Sequence, residues 1–309
     1  MKKVQSVTKK ILKVILWVAL IFVLIFLIVA ALIQIPAIQT KVTNYAISFI
    51  SSKTHTRVEI EKISISFPKS VVLKGLYLED TQKDTILYVG MAKVNIVLFD
   101  LFSNKIAINS FVLEDATIKL YSTKTDPLFN YNFLFTAFAD TTKQVKADTI
   151  SASKWTFSLD KVNLKNVRFT YNDEYAGMNV FAGIEKAELS VDEISPGESL
   201  YQFDELFMEG LKVIVLANEP ANSQEKNSDS VLPKISAQKL QLINSTVSYA
   251  DSAGYLSVIS AIDRLELEDA FIDVQKELLT FDYLNLKKSN IRYHNFEPEF
   301  FPDAMVADS

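Results

Sequence analysis

Ile106-Ala-Ile108-Asn-Ser-Phe111-Val-Leu113-Glu-Asp115-Ala-Thr-Ile118-Lys-Leu120 places apolar residues at relative positions 0, 2, 5, 7, 12 and 14. The same spacing returns four times: at Phe157, Leu159, Val162, Leu164, Phe169, Tyr171; at Tyr201, Phe203, Leu206, Met208, Val213, Val215; at Ile235, Ala237, Leu240, Leu242, Val247, Tyr249; and at Leu279, Phe281, Leu284, Leu286, Ile291, Tyr293. A half copy, Val71, Leu73, Leu76 and Leu78, precedes them. Steps of two keep side chains on one face of a strand, whereas the step of three reverses the face unless a bulge absorbs one residue. The step of five centres on Glu114-Asp115, Lys165-Asn166, Glu209-Gly210, Asn244-Ser245 or Ser289-Asn290, mostly residues that tolerate turns. Each unit therefore reads as strand, turn, strand. Copy starts lie 51, 44, 34 and 44 residues apart, a loose spacing that suggests antiparallel meander units with insertions of variable length. With 7 glycines in 309 residues, a solenoid of tight turns is disfavoured.

Alternation of period two starts earlier, at Val58, Ile60, Ile63, Ile65 and Phe67, and dominates the chain from there. Before it, Pro36 opens a stretch with apolar residues at Ile38, Val42, Tyr45, Ala46, Phe49 and Ile50, the spacing of an amphipathic helix over 36–52. Its polar side carries Lys41 alone, so a helix closing the end of a β-domain is preferred to one lying on a membrane surface. Residues 126–140 are aromatic and irregular, and read as a short helix or plug. Residues 218–229 show no apolar periodicity and read as a loop.

The twenty residues Val14–Ile33 carry no charge, and Lys2, Lys3, Lys9, Lys10 and Lys13 precede them. At 1.5 Å per residue such a helix spans about 30 Å, the thickness of a bilayer core. A transmembrane helix over 14–33 is expected, with the basic tail 1–13 cytoplasmic. A cleavable signal peptide would have a shorter apolar run and a small-x-small site, but here the run passes into Ile33, Gln34, Ile35 and Pro36. The chain has net charge −5, and removing the five lysines leaves −10 for residues 14–309. Such an acidic remainder excludes nucleic acid as an expected partner. Without cysteine there is neither a disulfide framework nor a thiolate metal site.

Catalytic signatures are missing from the sequence. His55 and His294 stand far apart, and acidic pairs such as Asp192-Glu193 or Glu297 with Glu299 lack the ligand spacing of a calcium loop. Gly75 after Lys74 is no phosphate loop, and Asn244-Ser245-Thr246 is a sequon placed in an expected hairpin turn. No enzyme activity, cofactor or metal is expected.

Thirty apolar template positions demand a cover. A buried aliphatic or aromatic side chain contributes roughly 1.5–3 kcal/mol relative to an exposed one. Few segments look helical, so the sheet either closes on itself as a filled sandwich or curls into a trough filled by another apolar substance. Base rates favour the sandwich; the membrane anchor shifts the expectation toward lipid.

The succession of lysine cluster, span, Pro-led helix, Thr-x-x-Arg-Val-x-Ile-x-x-Ile-x-Ile-x-Phe-Pro (Thr54 to Pro68), Leu73-Lys-Gly-Leu-Tyr-Leu-Glu-Asp80 and Asp84-Thr-Ile-Leu-Tyr-Val89 resembles the start of TamB and AsmA-like proteins. Phe129-Asn-Tyr-Asn-Phe-Leu-Phe-Thr-Ala-Phe138 is similar to a stretch carried by the long versions of the Bacteroidetes group. The resemblance implies a mainly β protein in which a curled antiparallel groove, a β-taco, occupies 56–309 in the periplasm. It implies anchorage in the inner membrane, phospholipid acyl chains as cargo for transport between the two membranes, and a BamA- or TamA-like outer-membrane barrel as partner. The chain ends soon after the fifth copy, so the first segment of a longer groove is expected. Groove candidates are Ile108, Leu113, Leu159, Leu164, Phe203, Met208, Leu240, Leu242, Phe281 and Leu286. Two other readings are an assembly factor for outer-membrane proteins, which templates partner strands on its edges, and an anchored β-sandwich with a sensing or adhesive role.

Overall fold

The computed structural model describes residues 27–66, 70–97, 103–139, 156–219, 232–252 and 254–295, together with 16, 17, 20, 21, 24, 25 and 100. The basic tail 1–13, most of the expected loop 218–229 and the acidic pair after Asn295 lie outside them. Residues Leu27–Ile33 form α1 and Pro36–Thr54 form α2, bent by 68° relative to each other. Proline causes the bend. Its ring has no N–H to donate and holds Ile35 extended, at φ −67° and ψ 123°. Among the described residues no single helix is long and apolar enough to cross a membrane, although α1 and α2 together reach the length and composition.

Fourteen strands follow in one sheet. They are β1 (Val58–Ser66), β2 (Ser70–Glu79), β3 (Thr85–Ile96), β4 (Lys105–Ser122), β5 (Thr156–Leu159), β6 (Lys161–Asp173), β7 (Met178–Ser195), β8 (Leu200–Glu209), β9 (Lys212–Ala217), β10 (Lys234–Asp251), β11 (Leu256–Asp273), β12 (Leu278–Thr280), β13 (Tyr283–Lys287) and β14 (Asn290–Asn295). A short helix α3 (Asn132–Phe138) lies between β4 and β5, where the aromatic plug was expected. β5 and β6 share one place beside β4, β8 and β9 share one beside β10, and β12, β13 and β14 share one beside β11. The sheet thus has ten strand positions, about 45 Å at ~4.8 Å each.

The expected strand-turn-strand meander is corrected. Each template copy is a single strand position, and its supposed turn is one residue in the left-handed conformation. Asp115, Asn166, Gly210, Asn244 and Lys288 all stand nine residues after their copy's start, with φ between 44° and 64°. Gly75 joins them: Val71 is in register through Val94 with Phe111, so the half copy matches positions 5, 7, 10 and 12, and Gly75 falls at position 9 with φ 61°. The sequon at Asn244 consequently lies inside β10 and not in a hairpin turn.

These residues face one another across the sheet. Glu61, Gly75, Gly90, Asp115, Asn166, Glu185, Gly210, Asn244, Asp263 and Lys288 drop out of the pairing on ten successive strand positions, while their neighbours on both sides stay in register. A second line of interruptions passes through Asn109, Asp160, Asp192, Asp204, Gln238, Asp269 and Asp282, the step of three in each copy. Along the left-handed line one residue is passed over on every strand and the register is unchanged, whereas at Asn109 and at Asp192 and Asp204 the register shifts as at a β-bulge; in both cases a residue is added without reversing the face. This is how an odd step in sequence keeps all six template positions on one side.

The antiparallel expectation is also corrected. β4 runs parallel to β5 and β6, and β10 runs parallel to β8 and β9; the other pairings among the described residues are antiparallel. All five copies point the same way. Copies 44 residues apart enclose a return strand, β7 or β11, whereas those 51 and 34 residues apart enclose none among the described residues and are parallel neighbours.

Helix α2 covers the first edge. The Ile63 N–H donates to Thr43 Oγ1 at 3.0 Å, and Gln39 Nε2 donates to the Ile65 carbonyl at 3.3 Å, so groups of β1 that have no strand beside them find partners on the helix. A helix there removes the template for another chain's strand.

Gly210 tests the bent line. Its φ is 64°, and a Cβ would meet Glu185 Cγ and Cδ at 2.5 Å. Gly210→Val is expected to cost at least the ~1–2 kcal/mol of a left-handed L-residue. Gly183 on β7 has ordinary backbone, and a Cβ there meets only the Phe181 ring at 3.5 Å, so Gly183→Ala should be neutral or slightly stabilising. Urea unfolding midpoints check this, and equal effects of the two substitutions would refute the bend as a conformational constraint.

Candidate functional site

Register converts the sequence pattern into a surface. One row runs Ile63, Leu73, Ala92, Leu113, Leu164, Ala187, Met208, Leu242, Leu265, Leu286, each paired with the next across all ten strand positions. The row two residues away, from Ile65 through Phe111, Val162 and Leu240 to Leu284, is apolar at every position as well. Beyond the left-handed line, Val58, Leu78, Leu87, Ile118, Phe169, Ala182, Val213 and Val247 continue the same face. The row between the first two and the bend belongs to the opposite face: Lys62, Lys74, Met91, Glu114, Lys165, Lys186, Glu209, Ile243, Arg264, Lys287. Across these rows one side of the sheet is thus apolar, and the row beside it on the other side carries charge at eight of its ten positions.

Nine of the ten residues singled out from the sequence stand on the apolar side. Leu113, Leu164, Met208, Leu242 and Leu286 share the first row, and Leu240 belongs to the second. Ile108 pairs with Leu159, and Phe203 pairs with Val191 and Ala237 in the row beyond the second bulge line. Phe281 falls between β12 and β13, outside both strands. The sequence selection missed the return strands, which carry no template: Ala187, Leu189, Leu265 and Leu267 complete the rows. Their alternation was the signal available.

This face is incompletely covered. Leu113, Leu164 and Met208 are half-buried and Leu286 is 44% exposed, while Leu206, Leu242 and Leu267 are buried. The cover that exists comes from the α2 and α3 region: Ile50, Tyr131, Phe133 and Leu134 pack with Val58, Leu78 and Ile86, and the Phe129 ring stacks on Tyr171 at 5.0 Å. All of these contacts are at the β1–β6 end of the sheet.

Carboxylates fasten that cover. Buried Asp80 accepts from the Gln82 and Asp84 amides at 2.8 and 2.9 Å, from the Tyr121 hydroxyl at 2.8 Å and from Asn130 Nδ2 at 3.2 Å. Burial, the hydrogen bond to Asp80 and its charge push the Tyr121 phenol up. Asp173 binds the hydroxyls of Ser122 and Tyr171 at 2.6 and 3.3 Å; burial first, then the Asp173 charge, pushes Tyr171 up to about 12. Both phenols stay protonated donors at neutral pH. Among the described residues no group of three His, Cys, Asp or Glu could hold a metal ion.

A single sheet of ten positions, with two full rows of apolar side chains on one face and no metal-holding cluster among the described residues, has the build of a surface for apolar material. The AsmA family model matches residues 8–295, and the chain belongs to the AsmA family. That family is associated with envelope assembly and lipid transport. No curated protein matches the chain.

Proposed function

We propose that this chain is a membrane-anchored β-groove that shields acyl chains while phospholipid moves between the inner and outer membranes. In this reading residues 14–33 cross the inner membrane, the lysines of 1–13 stay in the cytoplasm, and the sheet stands in the periplasm. The observation that carries it is a ten-position apolar face on which Leu113, Leu164 and Met208 are only half-buried and Leu286 is 44% exposed, where a filled sandwich would bury them as fully as Leu206 and Leu242 are buried. The bends support curling toward that face. Beside them the apolar side carries small buried residues, Ala116, Ser245, Ala237 and Ala270, whereas Asp115, Asn166, Glu185, Asp160 and Asp192 on the lines themselves are exposed.

Transfer needs no covalent step. Each methylene withdrawn from water contributes roughly 0.8 kcal/mol, so a chain entering the trough is stabilised along its length while its headgroup remains in water at the open seam. Movement from row to row exchanges equivalent contacts, which keeps the sliding barrier low. The β12–β14 edge, paired only with β11 among the described residues, gives some support to the second reading, strand templating for an outer-membrane barrel.

Site-specific photocrosslinking in cells distinguishes them. A benzophenone amino acid at Leu113, Leu164 or Leu286 in the full chain should form adducts with acyl lipids, and the same probe at Glu114 or Lys165 should not. Barrel-protein adducts at Ile291 without lipid adducts at the leucines would transfer the case to templating.

A further inference from the structure

A patch at the α2–α3 corner is apolar, exposed and unused by the sheet. Helix α2 has two apolar stripes. The first, Ala46, Ile47 and Ile50 with buried Thr43 and Thr54, faces β1. The second, Ile38, Val42, Tyr45 and Phe49, follows the i, i+4, i+7, i+11 spacing of one helix face and lies roughly 130° around the axis from the first. Tyr45 is 72% exposed and Phe49 45%. Helix α3 adds to it: Phe133 and Leu134 pack inward, while Phe135 and Phe138 point out at 70% and 50% exposure. The rings of Phe49 and Phe138, 6.2 Å apart, join the two helices into one surface. Exposed Lys41 and Lys53 fall on either side of the stripe.

We infer that this corner is a membrane-seating surface: Tyr45, Phe49, Phe135 and Phe138 enter the headgroup layer of the bilayer that holds the anchor. The inference rests on the anchored reading above and names where the sheet meets its membrane. Orientation argues for it first. A spanning helix tilted by about 20° from the bilayer normal, continued by a 68° bend, lays α2 within roughly 40° of the membrane plane. With the Tyr45–Phe49 stripe set against the bilayer, the β1 side of α2, roughly 130° around the axis, is turned away from it, and the strands follow from that side position by position.

Chemistry argues for it second. Rings with a polar or quadrupolar edge favour the headgroup level, and flanking lysines place their ammonium groups among phosphates while their stems lie along the apolar surface. A second copy of the chain is a poorer occupant. Four ring side chains exposed to this extent offer roughly 350–600 Å² if each has 150–250 Å² in all, below the ~800 Å² per partner of a stable interface. Continuity with the exposed apolar face of Leu24, Leu27 and Ile28 along the same polypeptide also favours lipid.

Because the chain contains no cysteine, one introduced thiol is unique. The full chain is reconstituted into vesicles of phosphatidylethanolamine and phosphatidylglycerol at 3:1. Spin labels are placed at Tyr45→Cys, Val42→Cys and Phe135→Cys, with Leu24→Cys marking the anchor and Lys165→Cys marking water. Relaxation by oxygen relative to a water-soluble nickel complex should be several-fold higher at the three corner sites than at Lys165→Cys, and higher again at Leu24→Cys. Corner labels as aqueous as Lys165→Cys, with Leu24→Cys deep, would overturn the seating surface and leave the anchor standing. Corner labels hidden from both reagents would mean a protein contact and overturn it too. An aqueous Leu24→Cys would remove the anchor, and the seating surface with it.

Discussion

Leu164→Asp and Leu286→Asp are expected to remove nearly all the acyl lipid that co-purifies with the full chain, while Asn163→Asp leaves it unchanged. Leu164 and Leu286 occupy one row of the apolar face, at its middle and near its last strand position, and Asn163 is the neighbour of Leu164 on the charged side. A carboxylate on an apolar face covered by acyl chains either brings water with it or must be desolvated, and desolvation costs several kcal/mol. With ~1.4 kcal/mol per tenfold in affinity, even partial exposure of the charge to lipid lowers occupancy by two orders of magnitude or more. Folding is separable from this effect. Leu286 is 44% exposed, so its replacement removes little buried area, and circular dichroism should show the sheet intact. Leu242, in the same row, is buried, and Leu242→Asp should lose stability together with lipid. Lipid extracted from the purified variants and counted by mass spectrometry decides the matter: wild-type amounts on Leu164→Asp and Leu286→Asp would refute the lipid-bearing face.

Asp80→Ala is expected to be the most damaging single truncation on the polar side, at about 3–5 kcal/mol. Its carboxylate serves four donors, two of them turn amides, one a phenol and one the Asn130 amide. Each buried donor left without an acceptor costs about 1–3 kcal/mol, and water can reach some of them in the β2–β3 turn. The loss should also be felt at a distance in sequence. Asn130 stands fifty residues from Asp80 and precedes α3, so releasing it loosens Phe129 from Tyr171 and lifts part of the cover from the apolar face. Hydrogen exchange over residues 129–138 should rise together with the fall in the urea midpoint. Asp84→Ala, exposed on the same turn, should move neither by much. Equal effects of the two substitutions would mean that Asp80 is an ordinary turn residue.

The apolar face was legible because burial pattern depends on local steps along the chain. Ile108, Leu113 and their equivalents were identified from spacing, and the register puts them on one side. The bend was only half legible. Asp115, Asn166, Gly210 and Asn244 were recognised as residues that tolerate unusual backbone, but such residues serve a hairpin turn and a bulge equally. Only the partner strands distinguish the two, because a turn reverses the pairing and a bulge leaves it in place. Phase was illegible in the half copy for the same reason: Val71 to Leu78 fits positions 0 to 7 or 5 to 12, and the choice is made by Val94 and Phe111.

What the amino-acid order determined alone is the two-faced character of the strands, the proline-led helix and the apolar run before it, since each follows from the chemistry of residues close together in the chain. Strand direction, the two parallel neighbourhoods, the edge cover by Thr43 and Gln39, and the Asp80 junction belong to the tertiary structure. Those features join residues 20 to 50 positions apart, and no local preference can specify which distant donor meets which acceptor. Their partners are selected by the closure of the whole sheet, where an unpaired group would remain buried.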